Sequence, residues 1–135
     1  TRFKCDWSSD VCSSDLKLGF VDDLAEAFSQ ACVNINPVFM GTGVNIKLLD
    51  AMMHGMPCIC SATGARGLEQ YAGEGVCIVA DGDAQGFANA VIEHLNDPVL
   101  RAKSANEARA AALNWNRRQQ ESLSSWVAHV RSRRI

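Results

Sequence analysis

A glycine-rich loop that leads into a helix is the part of the sequence best suited to bind a ligand. Gly41-Thr42-Gly43-Val44 follows a short strand-like run, and a helical pattern begins at about Asn45. Glycines let the backbone approach a ligand closely, and the unpaired N–H groups at the start of a helix attract phosphate. An ordinary glycine turn before a helix is the alternative interpretation of these residues alone.

Two opposite charges interrupt the apolar helix behind this loop. Apolar side chains cover nearly all of its faces, so we expect the helix to be buried; they are Ile46, Leu48, Leu49, Ala51, Met52 and Met53. Gly43, Lys47 and Asp50 are spaced i, i+4, i+7 and share one face. Lys47 can meet phosphate charge, and Asp50 can accept hydrogen bonds from sugar hydroxyls. An exposed Lys47–Asp50 ion pair is the alternative, although its cation lies N-terminal, the less favourable order against the helix dipole.

The elements around the loop alternate apolar runs with helical patterns, which predicts βαβ units on a parallel sheet. Strands are predicted at residues 18–21, 32–36, 58–61 and 76–80, and helices at residues 24–31, 45–54, 84–95 and 98–113. Asn114-Trp115-Asn116 predicts a joint before a last helix, whose apolar face carries Leu123, Trp126, Val127 and Val130. Ligands of parallel sheets bind beyond the carboxyl ends of the strands, where the glycine loop is predicted to lie.

Composition excludes several classes of protein. The chain has 135 residues, the size of one ordinary domain, and a net charge of −2, which argues against a nucleic-acid partner. No apolar run approaches the roughly 18 residues that span a bilayer. The spacing of the six cysteines fits neither a disulfide framework nor a zinc site. We therefore expect reduced cysteines that fill core positions in a cytoplasmic protein, and no metal site.

Residues 1–16 differ from the rest of the chain. The string DWSSDVCSSDL, Asp6 to Leu16, resembles one translated frame of a common sequencing adapter and has no usable periodicity. We expect residues 1–16 to be a non-native segment fused to a partial gene, which places Cys5 and Cys12 outside the native protein. A disordered tail rich in serine and aspartate is the alternative.

Residues 37–57, PVFMGTGVNIKLLDAMMHGMP, resemble the donor-site signature of GT-B glycosyltransferases. The likeness is to the family-4-like retaining enzymes of glycosyl transferases group 1, whose pattern runs roughly G-x-G-x-x-x-K-x-x-E-A-M-A-x-G-x-P. It continues through residues 62–68, 79–81, 87–90 and 96–98 and reaches Trp115. The combination of G-x-G, K-x-x-D-A-M and G-x-P at these spacings is fairly specific, whereas the glycines alone are not.

The resemblance implies an α/β fold, in which a Rossmann-like parallel sheet is flanked by helices and forms an incomplete carboxyl-terminal half of a GT-B fold. Residues 17–113 would be a partial nucleotide-sugar-binding domain, and residues 114–135 a carboxyl-terminal helix that crosses back to the first domain. The amino-terminal domain, which carries the acceptor site in such enzymes, would be missing here.

The resemblance also implies roles for the residues of the loop and helix. The loop Gly41-Thr42-Gly43, with Val44, would lie against the sugar and phosphates, Lys47 near the diphosphate, and Asp50 at the nucleotide ribose. The reaction would transfer a glycosyl group from a nucleotide diphosphate sugar to an acceptor hydroxyl, with retention of the anomeric configuration. Backbone amides and a cation can stabilise the departing diphosphate, so no cofactor is implied. The acceptor could be a glycan, a lipid-linked molecule or a small molecule, and the catalytic residues are not identified.

The chain departs from the family pattern at two positions. Asp50 stands where glutamate is usual, and Thr42 stands where many relatives carry a second glutamate. These departures support one alternative, a non-catalytic nucleotide-binding module with a decayed site. A second alternative is a sugar-nucleotide epimerase-like enzyme of the same fold, which would need histidine and acid residues in the missing half. His54 is expected to cap its helix, and Arg66 to be a solvated loop residue that could instead touch phosphate.

The carboxyl terminus is basic, and the residues that make it so are Arg117, Arg118, Arg131, Arg133 and Arg134. These arginines could favour peripheral contact with an anionic membrane surface. A solvated helix face is the simpler interpretation of the same residues.

Overall fold

The computed structural model describes residues 21–133. The predicted adapter-derived segment, Cys5, Cys12 and all but the last residue of the predicted first strand lie outside the described residues. Val21 itself belongs to no strand. The division of the chain at residue 17 therefore stays a prediction.

Three parallel strands form the centre of the described fold. They are β1 (Asn34–Asn36), β2 (Cys58–Ser61) and β3 (Val76–Val79), in the order β1-β2-β3. Asn36 pairs with Cys60, and Ser61 pairs with Val79, so the carboxyl ends of all three strands meet at one edge of the sheet. The parallel sheet of an α/β fold, predicted from the alternating patterns, is thereby confirmed.

Helices connect and flank the strands, and short polar side chains begin each of them. The helices are α1 (Leu24–Ser29), α2 (Ile46–Met53), α3 (Ala84–Asn96) and α4 (Pro98–Ser132), with 3₁₀ turns at Thr63–Ala65 and Glu69–Tyr71. The residues that cap the helices by accepting backbone N–H groups are Asp23, Asn45, Asp83 and Asp97. These caps explain why the helices begin where they do, because each satisfies donors that have no partner within the helix.

The main core lies between one face of the sheet, α2 and α4. Leu48 and Met52 of α2 are fully buried there together with Ala108 and Ala112 of α4. The alanines of α4 let the two helices approach closely. Ile59 is fully buried but lies outside this cluster, since side chains alternate along a strand and α3 contacts β2 from the other face.

The cysteines fill the core only in part. Cys58 and Cys60 are buried in β2, where burial raises the pKa of each thiol to about 12 and keeps it uncharged at neutral pH. Cys77 is half-buried, whereas Cys32 is exposed. The expectation of a core position is wrong for Cys32, because β1 begins two residues later and leaves this side chain outside the sheet.

The predicted joint at Asn114-Trp115-Asn116 is wrong, because α4 runs through it without a break from Pro98 to Ser132. Asparagine and tryptophan each cost only a few tenths of a kcal/mol relative to alanine in a helix interior. Trp115 also packs against the main core, which holds the helix in register at this point.

Two helices are less buried than their patterns predict. In α2, Ile46 is 55% exposed and Lys47 is also exposed, so the helix buries one face rather than nearly all of its surface. In α1, Leu24 is 48% exposed, and the helix ends before Ala31, the fourth residue of the predicted apolar face. The buried face of α2 is set by Leu48, Ala51 and Met52, whose spacing leaves the Lys47 side free.

The contact between α4 and the turn before β3 generates a stability prediction. A Cβ atom on Gly75 would lie 2.2 Å from the Ala108 nitrogen and 2.3 Å from the Ser104 oxygen, and the φ of Gly75 is +78°. Gly73 has a similar φ of +81°, but a Cβ there would meet nothing within 4 Å. We expect Gly73→Ala to lower the free energy of unfolding by about 1–2 kcal/mol through backbone strain. Gly75→Ala should lower the free energy of unfolding by about 1–3 kcal/mol more than this, because its Cβ atom would also clash with the backbone of α4.

Urea denaturation of both variants, followed by circular dichroism, measures this difference. Gly73→Ala is the matched control, because it carries the same conformational strain without the steric overlap. Equal losses in the two variants would contradict the packing of α4 against Gly75.

Candidate functional site

The loop from β1 to α2 adopts a conformation that depends on its two glycines. Gly41 has a φ of +144° and Gly43 a φ of +83°, a region that side-chain-bearing residues rarely adopt. Asn45 ends the loop by accepting the Leu48 N–H at 3.3 Å, which starts α2. The loop thus makes a tight turn and leads directly into the amino end of α2, as the sequence predicts.

Arg66 binds this loop from the neighbouring loop that follows β2. Its Nε donates to the Gly43 carbonyl oxygen at 3.2 Å, and its Nη1 donates to the Gly41 carbonyl oxygen. Its own carbonyl oxygen accepts the Asn45 N–H at 3.2 Å. The expectation of a solvated loop arginine is therefore wrong. Its position in a strand-exit loop was the one sequence signal that pointed to the site.

A cavity of about 330 Å³ lies over the glycine loop and the first residues of α2. Lys47 and Arg66 line it together with Gly41, Thr42, Gly43 and Val44. The other lining residues are Val38, Met40, Asn45 and Ile46. No acidic side chain belongs to the lining, so its charged residues are two cations, Lys47 and Arg66. Ligand pockets span about 300–1,000 Å³, which makes this one suitable for part of a larger ligand.

Asp50 lies apart from that cavity. It is half-buried one helical turn beyond Lys47 and does not line the space that Lys47 lines. Within residues 21–133, no ion pair joins Lys47 to Asp50, so the alternative interpretation of these two charges as a salt bridge is wrong. The structure brings the glycine loop and Lys47 together and leaves Asp50 at the margin.

Hydrogen bonds tie the exits of β1 and β2 to each other. The Ser61 hydroxyl donates to the Val38 carbonyl oxygen at 2.5 Å and accepts the Gly64 N–H at 3.0 Å. The Asn36 amide, which is buried, donates to the Gly64 carbonyl oxygen at 3.1 Å. These bonds hold the loop that carries Arg66 beside the loop that carries the glycines. Sequence reasoning assigned no role to the side chains of Ser61 and Asn36.

Two further hydrogen bonds join the exits of β2 and β3. The Asp81 carboxylate accepts the Thr63 hydroxyl at 2.7 Å and the Thr63 N–H at 3.0 Å. The hydroxyl bond, followed by the backbone bond, lowers the pKa of Asp81 below its ordinary value. The ionised carboxylate therefore holds the base of the Arg66 loop at neutral pH.

Two other features near the site have different roles. A cavity of about 250 Å³ follows the strand ends on the side of α3, and its lining is almost entirely apolar, with Phe39 and Phe87 among its walls. It offers few groups to a diphosphate.

His54 caps α2 as predicted, with its Nδ1 2.8 Å from the Asp50 carbonyl oxygen.

Residues 21–133 contain neither a cluster of metal-ligating side chains nor a helix suited to span a membrane. No group of three or more His, Cys, Asp or Glu side chains in this part of the chain could hold a metal ion. No helix in it has the length and apolar character needed to cross a membrane.

The sheet, its flanking helices and the glycine loop at its carboxyl edge together define a Rossmann-like α/β domain. Comparison with known protein families then identifies the family of this domain. The family described as Glycosyl transferases group 1 matches residues 15–97, which is more than half of the chain. The chain belongs to this family, as its resemblance to the donor-site signature predicted. Comparison with curated proteins and with solved structures gave no match.

The Thr63–Asp81 contact generates a pH prediction. Because the pKa of Asp81 is lower in the folded chain, its contribution to stability is present above the ordinary aspartate pKa and is lost as the pH falls through the lowered value. Thr63→Val should raise this pKa part of the way to its ordinary value, because the backbone N–H bond remains.

Carboxyl-detected NMR titration of the chain measures the pKa of Asp81 directly. Thr42→Val is the matched control, since it also removes an exposed threonine hydroxyl but lies in the other loop, and it should leave the titration unchanged. An unshifted Asp81 pKa in Thr63→Val would show that the hydroxyl bond does not hold the carboxylate.

Proposed function

We propose that the chain is the donor-binding part of an enzyme that transfers a glycosyl group from a nucleotide diphosphate sugar to an acceptor hydroxyl. The observation that carries this proposal is the pairing of Lys47 and Arg66 around a glycine-loop cavity without any acidic lining residue. Such a cavity attracts an anion of high charge density, and membership of the glycosyltransferase family supports a nucleotide diphosphate sugar as that anion.

The chemistry of the transfer explains why these groups are needed. The bond between the anomeric carbon and the diphosphate oxygen breaks, so negative charge builds up on the diphosphate and positive charge on the sugar ring. The Lys47 ammonium offsets the negative charge, as do the Thr42 and Val44 amides, which have no acceptor among residues 21–133. Hydrogen bonds to charged groups contribute about 1.5–3 kcal/mol each, and those that strengthen in the transition state accelerate the reaction. Retention of the anomeric configuration is proposed on family resemblance.

Asp50 has a different proposed role. Its position one turn beyond Lys47 suits a ribose that extends from the diphosphate along α2, and a carboxylate accepts hydrogen bonds from two hydroxyls. The phosphates and the ribose would then be bound by separate residues. This separation can be tested with ligands that contain one part or both.

Lys47→Gln should weaken the binding of inorganic pyrophosphate and of UDP, GDP or ADP by about tenfold or more, because it removes a cation from the phosphate site. Asp50→Ala should weaken the binding of the nucleoside diphosphate that the chain prefers and leave pyrophosphate binding unchanged. Isothermal titration calorimetry of the chain with each ligand separates the two effects.

Lys103→Gln is the matched control for Lys47→Gln. Lys103 is an exposed lysine of α4 that pairs with Glu107 at 3.8 Å, away from the loop, so its loss should not alter affinity. A chain that binds none of the three nucleotides would refute the proposal and favour a non-catalytic module with a decayed site, for which Thr42 and Asp50 are the support. Product analysis of the complete enzyme separates transfer from epimerisation.

We further propose that the 135-residue chain is inactive by itself. In the GT-B glycosyltransferases that this chain resembles, the acceptor binds to another domain. The donor and the acceptor react only in the cleft between the two domains. Incubation of the chain with labelled nucleotide sugars and a panel of glycan, lipid-linked and small-molecule acceptors should give no labelled product. Turnover with any of these pairs would contradict the division of roles between domains.

A further inference from the structure

Arg66 holds the glycine loop in an unusual way for an arginine beside a proposed anion site. Two of its guanidinium nitrogens donate to backbone carbonyls, those of Gly41 and Gly43, rather than to an acidic side chain. Within residues 21–133, no carboxylate forms an ion pair with it. The position where a Gly41 Cβ would lie is 3.3 Å from Nη2, so the guanidinium lies directly against the loop backbone.

Peptide geometry determines what these two bonds do to the loop. The peptide bonds of the described residues are all trans, so each carbonyl points opposite to the N–H of the following residue. Arg66 draws the Gly41 and Gly43 carbonyls toward itself, which turns the Thr42 and Val44 N–H groups away from it. Neither of these amides has an acceptor among residues 21–133.

We propose that Arg66 is a positioning residue that orients the Thr42 and Val44 amides to receive the diphosphate of the donor. This inference rests on the proposed function for the identity of the anion, but not for the ordering of the loop. The guanidinium group binds the Gly41 and Gly43 carbonyls at the same time. The loop amides therefore have a fixed orientation before a ligand binds. A preorganised loop avoids the entropy cost of ordering on binding.

The planar fork of arginine is essential to this role. A lysine at position 66 keeps the positive charge but presents a single ammonium, which cannot hold two carbonyls in a fixed plane. Arg66→Lys therefore separates positioning from charge. If Arg66 acted only as a cation for phosphate, lysine would replace it.

The test combines two measurements on the full chain. The first is the ¹⁵N relaxation order parameter of the Thr42 and Val44 amides without ligand, which should fall in Arg66→Lys. The second is the affinity for inorganic pyrophosphate and for UDP, GDP and ADP, which should fall by about tenfold in the same variant. In the wild-type chain, the Thr42 and Val44 amide resonances should shift most when pyrophosphate is added.

Arg101→Lys is the matched control. Arg101 also donates to two backbone carbonyls, those of His94 and Leu95, but it does so between α3 and α4 and away from the loop. This variant should change neither the loop order parameters nor the affinities, and thermal unfolding of both variants shows whether each is folded. Should Arg66→Lys unfold, the same order parameters are measured in Arg66→Gln, whose shorter side chain ends in a single donor nitrogen, and they should fall there as well.

The outcomes that overturn the proposal are distinct. Wild-type order in Arg66→Lys, with or without weaker binding, would show that Arg66 does not position the loop. A loss of order with unchanged affinity would show that the amides do not receive the ligand. Failure of the wild-type chain to bind pyrophosphate or any nucleotide would overturn the proposed function instead, while the order parameters would still decide whether Arg66 holds the loop.

Discussion

Burial of one face of α2 is the constraint on which the site depends. Leu48, Ala51 and Met52 are fully buried against the sheet and α4, so the rotation of the helix about its axis is fixed. This rotation places Lys47 on the side of α2 that faces the glycine loop, where it lines the cavity. A single large-to-small substitution in this face would lower the free energy of unfolding by about 2–5 kcal/mol and would also loosen the helix that carries Lys47.

The sheet supplies the second constraint, because it brings three strand exits to one edge. Asn36 and Ser61 tie the first two exits together, and Asp81 ties the third to Thr63. None of these side chains faces the cavity beside Lys47, yet together they determine where Arg66 stands. Residues of this kind carry little sequence signal, since a buried serine or asparagine becomes informative only once its partners across the sheet are known.

Local patterns predicted much of the fold and part of the site. The strands β2 and β3, the starts of α3 and α4 and the G-x-G loop before α2 follow from spacing and turn chemistry, which act over a few residues. The uninterrupted α4 and the exposure of Ile46 do not, because they depend on the packing of Trp115 and on which face of α2 meets α4. The bonds from Arg66 to the glycine loop were not predicted for the same reason, since its carbonyl partners lie 23 and 25 residues earlier in the chain.

The departure at Thr42 has a physical consequence for the charge of the site. Thr42 lines the same cavity as Lys47 and Arg66. A glutamate at this position, as in many relatives, would place a carboxylate near both cations and would compete with the Gly41 and Gly43 carbonyls for the Arg66 guanidinium, because charged acceptors bind arginine more strongly than neutral ones. Threonine leaves the guanidinium on the backbone and the cavity without negative charge. In this chain, therefore, the departure from the family pattern at Thr42 leaves Arg66 bound to the loop carbonyls and adds no negative charge to the cavity.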